Sequence, residues 1–93
     1  MNFQGPRDFT PNIKRYQKVM AFILHIQHSY PNLFEMLLQT PQFEYEVEVC
    51  RYRKQWARKY LFMLEDLVKQ YESGNHTAIN EFNLQKGHMP ALS

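Results

Sequence analysis

Histidine and cysteine are the residue types in this 93-residue chain best suited to metal binding or catalysis, and it has four histidines and one cysteine. His25 and His28 are three residues apart, so on a helix they share one face and offer two imidazoles to zinc. No cysteine or carboxylate nearby completes a tetrahedral set, and His76, His88 or a second chain would have to supply the rest. We therefore expect two solvated histidines, with no bound metal and no cofactor.

Cys50 is the candidate nucleophile, but thiolate catalysis needs a histidine base within reach and a site for the developing anion. It follows Val49 in an apolar stripe, which favours a small buried residue instead. The adjacent carboxylates Glu65 and Asp66 would point about 100° apart on a helix and cannot share a substrate. The three glycines each stand alone, so there is no glycine-rich phosphate loop. The sequence thus predicts no catalytic residues and a protein that is not an enzyme.

A basic and aromatic stretch over residues 51–62 is the most informative feature of the chain. Residues 51–60 contain five basic and three aromatic side chains and no acid. Tryptophan and arginine dominate binding energy when they lie at an interface, so this stretch predicts a partner-binding face. The predicted partner-binding residues are Arg51, Gln55, Trp56, Arg58, Phe62 and Lys69.

Three interpretations of this stretch stay open. It is a docking face for a protein partner, a nucleic-acid site in which Phe62 stacks on a base, or a solvated face whose tyrosines and tryptophan belong to the core. A protein partner is favoured over nucleic acid, because glutamates at 44, 46, 48 and 65 on the same predicted helix would repel a duplex. The formal net charge of +2 is also too small to predict a nucleic-acid partner.

The composition is that of one folded domain, with 44% hydrophobic residues and 15% aromatic residues. The single cysteine excludes an internal disulfide and favours a reducing compartment, so we expect a cytoplasmic or nuclear protein. The longest apolar run, Val19 to Leu24, is too short to span a bilayer, and no membrane segment is expected.

Helical periodicity and two Thr-Pro pairs predict an all-α fold, a small helical bundle or helical hairpin. Thr10-Pro11 and Thr40-Pro41 each place a capping hydroxyl before a proline suited to the first helical position. The first predicted helix runs from Pro11 to Ser29, and Pro31 then forces a turn before a two-turn connecting helix that ends by Gln39. A weak helical turn near Phe82, closed by Gly87, ends the predicted domain at residues 11–87, with flexible segments 1–10 and 88–93.

One long helix is predicted over residues 41–72, because no glycine and no further proline interrupts it before Ser73-Gly74-Asn75. Such a rod would expose more apolar surface than a chain this short can cover, which predicts a homodimer. The predicted self-association residues are Val47, Cys50, Ala57, Leu61, Leu64 and Val68. Residues 43–49 also alternate in the manner of a strand, so an α+β fold with a short strand there is the alternative.

Overall fold

The computed structural model describes residues 13–85, which form five helices and no strand. The helices are α1 (Ile13–Ser29), α2 (Pro31–Leu38), α3 (Phe43–Tyr52), α4 (Lys54–Glu72) and α5 (Ala78–Gln85). The all-α prediction is confirmed, and the alternative strand at 43–49 is wrong, since those residues lie in α3. The predicted segments 1–10 and 88–93, the Thr10-Pro11 cap, Gly87 and His88 lie outside the described residues.

α1 and α2 end and begin where proline chemistry predicts. α1 buries Val19, Ile23 and Ile26 and ends at Ser29. α2 begins at Pro31, whose missing N–H costs nothing in the first helical position. The predicted two-turn connecting helix is therefore confirmed. It starts at Pro31, two residues before Leu33, its first buried residue. Leu24 lies outside the buried face of α1 and is 57% exposed.

The Thr40-Pro41 pair does not open a helix as predicted. The Thr40 hydroxyl donates to the Leu37 carbonyl at 2.8 Å, so it closes α2 instead of capping α3. α3 starts at Phe43, after Gln42, whose φ of 64° is left-handed. The turn needs that conformation to redirect the chain, and no sequence signal marks it because glutamine seldom adopts it.

The predicted rod over residues 41–72 is wrong, because the chain breaks at Arg53, which has an extended backbone with φ −118° and ψ 101°. In a continuous helix residues 46 and 60 would lie about 21 Å apart. Instead, the Tyr60 hydroxyl lies 3.4 Å from the Glu46 Oε1. The Trp56 Nε1 also donates to the Glu46 backbone carbonyl at 3.0 Å. α3 and α4 therefore fold onto each other as a hairpin.

α4 is the central helix and packs against α1, α3 and α5. The hairpin lets both halves of the predicted rod contribute to one core. The predicted self-association seam is consequently covered by the chain itself: Cys50, Ala57, Leu64 and Val68 are buried, and Val47 and Leu61 are partly buried. The predicted dimer contact assumed an exposed stripe, whereas in the described residues these six side chains pack in or against the chain's own core.

The C-terminal end of α4 is a Schellman motif. The N–H of Gly74 donates to the Tyr71 carbonyl at 3.1 Å, and that of Asn75 donates to the Gln70 carbonyl at 3.0 Å. Gly74 has φ 93°, a conformation that side chains disfavour. The predicted stop at Ser73-Gly74-Asn75 is confirmed, and the turn returns the chain so that Phe82 of α5 packs edge-on against Tyr60, with ring centroids 5.7 Å apart.

Candidate functional site

The solvent side of α4 brings together four of the predicted partner-binding residues, Gln55, Arg58, Phe62 and Lys69, all exposed. We call these four residues the α4 stripe. They share one face because they are spaced three, four and seven residues apart on a helix. The opposite face of α4 carries the core, so α1, α3 and α5 do not cover the stripe. Glu65 also lies on this face, between the aromatic residue and the last lysine.

Phe62 is the chemically unusual member of the stripe. Its side chain is 67% exposed. Single exposed apolar side chains are ordinary on protein surfaces. Phe62, however, lies one turn after Arg58 and two turns before Lys69, so a large ring is presented between two cations. Such a surface matches a partner that offers both an apolar contact and a carboxylate.

Arg51 does not belong to the stripe, because the break at Arg53 places it at the end of α3. Its Nη1 lies 3.8 Å from the Glu48 Oε2. Its guanidinium also lies 5.8 Å from the ring centroids of Tyr16 and Tyr52. The prediction that Arg51 and Arg58 share one partner-binding face is therefore wrong: it assumed an unbroken helix, and Arg51 instead contacts Tyr16 of α1.

Trp56 lies in the core and not on the partner-binding face predicted for it. Its side chain is 3% exposed, and its indole N–H is bonded to the Glu46 carbonyl. Its ring centroid is 5.5 Å from that of Tyr60. Lys59 covers the outer side of the indole, with its Nζ 5.8 Å from the ring centroid. The third interpretation of the stretch, in which tyrosine and tryptophan belong to the core, thus describes Trp56 and Tyr60.

Cys50 is a buried thiol beside a buried carboxylate. Burial and the nearby charge of Glu46 raise the pKa of the Cys50 thiol to about 12. The same two causes raise the pKa of the Tyr60 hydroxyl. A thiol held protonated in this way is a poor nucleophile at neutral pH. The interpretation of Cys50 as a small buried residue is confirmed.

His25 and His76 lie among aromatic rings at the end of the bundle where α1 and α4 terminate. The His25 ring centroid is 5.9 Å from that of Tyr30, and the His76 centroid is 6.3 Å from that of Tyr71. The Tyr30 hydroxyl donates to Glu72, and that hydrogen bond raises the pKa of Tyr30. Within residues 13–85, no three histidine, cysteine or acidic side chains converge in a way that could hold a metal ion.

An open groove between the end of α2 and the start of α3 is a feature that sequence reasoning missed. Its volume is about 390 Å³. We call it the α2–α3 groove, and its lining residues are Leu38, Thr40, Gln42, Phe43, Glu44 and Tyr45. It exists because Thr40 and Gln42 form a turn and α3 starts at Phe43, whereas the sequence predicted that a new helix begins at Pro41. Pro41 was the available signal, since the residue before a proline disfavours helical geometry.

The chain matches no protein-family model, no curated protein and no solved structure. None of the helices over residues 13–85 is long and apolar enough to cross a lipid bilayer.

Proposed function

We propose that this protein is a non-enzymatic helical interaction module that binds a protein partner through the α4 stripe. The observation that carries the proposal is the 67% exposure of Phe62 between Arg58 and Lys69, on the side of α4 opposite its core face. The partner it fits presents an apolar pocket bordered by carboxylates, because the ring loses its water-exposed area while the arginine forms charge-assisted hydrogen bonds.

Rigid support favours this surface as a docking face. The other side of α4 buries Tyr60, Met63, Leu64 and Leu67, so the helix holds the stripe in one geometry. A preorganised face loses little conformational entropy when it binds. The side chains of the stripe themselves are long, and their ordering has to be offset by the buried area of Phe62.

Nucleic-acid binding through residues 51–62 is the second candidate, favoured by the run of five cations without an acid at 51–60. The burial of Trp56 and Tyr60 removes two of the four aromatic side chains of residues 51–62 from contact with a base. Glu65 on the stripe side of α4 also opposes a phosphate backbone. These placements favour a protein partner.

The test compares three baits in affinity capture from the native source with identification by mass spectrometry. The baits are the wild-type protein, the double variant Arg58→Ala with Phe62→Ala, and a matched double variant Lys18→Ala with Leu24→Ala. The control removes one exposed cation and one exposed apolar side chain from α1, so it makes the same chemical change on another face. We expect proteins that the wild type and the control retain and the stripe variant loses, with all three baits giving the same helical circular dichroism.

Equal capture by the three baits would remove the stripe from the interface. Nucleic-acid binding is measured separately, as fluorescence anisotropy of a labelled single-stranded oligonucleotide across salt concentrations. Binding that falls steeply with salt and is weakened by Arg58→Ala would replace the protein-partner proposal, because phosphate contacts release counterions. A response near background, with partner capture lost in the stripe variant, supports the proposal.

A further inference from the structure

Acidic and basic residues occupy separate segments within residues 30–60 of this chain. Residues 30–50 contain four glutamates and no lysine or arginine, whereas residues 51–60 contain five cations and no acid. The first segment includes α2 and α3, and Glu35 and Glu44 are exposed there. The second includes the start of α4 and the first half of the α4 stripe. The acidic and the basic segment therefore adjoin between Cys50 and Arg51, near the end of α3.

The α2–α3 groove lies within the acidic segment. Phe43 and Thr40 are buried against the core, whereas Leu38 is 48% exposed and Tyr45 is 39% exposed. Glu44 supplies the carboxylate of the lining. The volume of about 390 Å³ is near the lower end of the range for small-ligand sites. A groove lined by both apolar and polar side chains, with one carboxylate, suits a single aromatic side chain that carries a neighbouring cation.

We propose that the α2–α3 groove binds the α4 stripe of a second copy of this chain. Phe62 of one molecule enters the groove of the next, and Arg58 meets Glu44. A second copy is favoured over another occupant because the chain itself exposes the complement of the groove, a 67% exposed aromatic ring beside an arginine. The proposal rests on the α4 stripe being a docking face, as in the proposed function.

Pairing within one molecule is excluded by the helix faces. α4 meets α3 through the side that carries Trp56 and Tyr60, and Phe62 points away from that side. The Phe62 ring cannot reach the α2–α3 groove of the same molecule unless the α3–α4 hairpin unfolds. Because the two surfaces differ, copies can close as a two-fold pair that uses each surface twice, or continue head to tail. In both arrangements self-pairing covers the stripe and competes with an outside partner.

The experiment is sedimentation velocity of the full chain over a range of concentrations, with charge exchange between the two surfaces. We expect the wild-type mass to rise above that of a monomer with concentration. Arg58→Glu and Glu44→Arg should each raise the dissociation constant by about tenfold or more, because each places like charges opposite one another. The two substitutions together should restore association. Lys18→Glu, which reverses an exposed cation on α1, is the control and should leave the mass unchanged.

Two further variants test the apolar contact from both sides. Phe62→Ala and Leu38→Ser should each weaken association, and circular dichroism checks that both remain folded. A wild-type chain that stays monomeric at every concentration would overturn the proposal. So would an associated chain whose mass Glu44→Arg and Leu38→Ser leave unchanged, or a double charge exchange that fails to restore pairing.

Glu44→Arg also separates this inference from the proposed function. The groove is not part of the α4 stripe, so this variant should keep the outside partner while losing self-pairing. A monomeric wild type that still captures a partner through the stripe would reject the self-pairing alone. If the wild type and the stripe variant Arg58→Ala with Phe62→Ala captured the same proteins while self-pairing was observed, only the outside partner would be rejected.

Discussion

Replacing Trp56 by phenylalanine tests whether the α3–α4 hairpin is held as the structure indicates. The substitution removes the indole N–H that donates to the Glu46 carbonyl at 3.0 Å and shrinks a side chain that is 3% exposed. In an unbroken rod, Glu46 and Trp56 would be about 15 Å apart, so this change would lower the free energy of unfolding very little. The hairpin predicts a large loss of stability.

Two contributions set the expected loss in the free energy of unfolding. One hydrogen bond contributes about 0.5–1.5 kcal/mol, and the lower half applies here because the Glu46 carbonyl also belongs to the hydrogen-bond ladder of α3. The smaller ring removes buried apolar surface and leaves a cavity, which costs about 1–2 kcal/mol more. We therefore expect Trp56→Phe to lower the free energy of unfolding by about 1.5–3 kcal/mol.

Urea unfolding followed by far-ultraviolet circular dichroism measures this difference, because the variant lacks the chain's single tryptophan as a fluorophore. For a slope of about 1–2 kcal/mol per molar urea, the midpoint should fall by roughly 1–3 M. Phe62→Ala is the control: it truncates an exposed aromatic residue of the same helix and should change stability by less than about 0.5 kcal/mol. Equal stability of Trp56→Phe and the wild type, or a larger loss in Phe62→Ala, would refute the placement of the two rings.

Three other predictions concern the buried thiol, the turn after α4 and the turn before α3. The pKa of Cys50 is raised to about 12 in the folded chain, so the unfolded chain loses this proton first. The folded state is therefore not penalised below about pH 9, and the free energy of unfolding falls as pH rises toward 12. In urea unfolding across this range, the free energy of unfolding should fall less steeply with pH for Cys50→Ala than for the wild type. Gly74→Ala should cost about 1 kcal/mol in thermal unfolding, because φ is 93° and no atom lies within 4 Å of the added carbon, so the loss is backbone strain alone. Thr40→Val should cost about 1 kcal/mol by losing the bond to Leu37, whereas Thr40→Ser keeps the hydroxyl and should lose less; equal losses would contradict this role of the hydroxyl.

The ends of several helices were predictable from sequence, because they depend on residues within one turn. Pro31 sets the start of α2 and Gly74 sets the end of α4 through backbone conformations that these residues favour. Burial of Cys50 was also predictable from its apolar neighbours. The failure at Thr40 has the same local character: its hydroxyl can close one helix or cap the next, and the sequence does not distinguish the two.

The candidate site was predicted in part. Gln55, Arg58, Phe62 and Lys69 share one exposed face, because a spacing of three, four and seven residues holds within any single helix. Arg51 was misplaced because that spacing no longer applies across the break.

The sequence by itself determined most of the helical segments and which residues of each helix share a face, since both depend on local spacing and capping, but it left residues 43–49 open between helix and strand. Only the tertiary structure decided that the chain bends at Arg53, that Trp56 turns inward, and that a groove opens beside Glu44. Neither glycine nor proline marks the bend. No helix-breaking residue is needed there, because a break in the helix costs only a few hydrogen bonds. The gain comes from burying side chains of α3 and α4 against one core, and that gain depends on residues ten and fourteen positions apart.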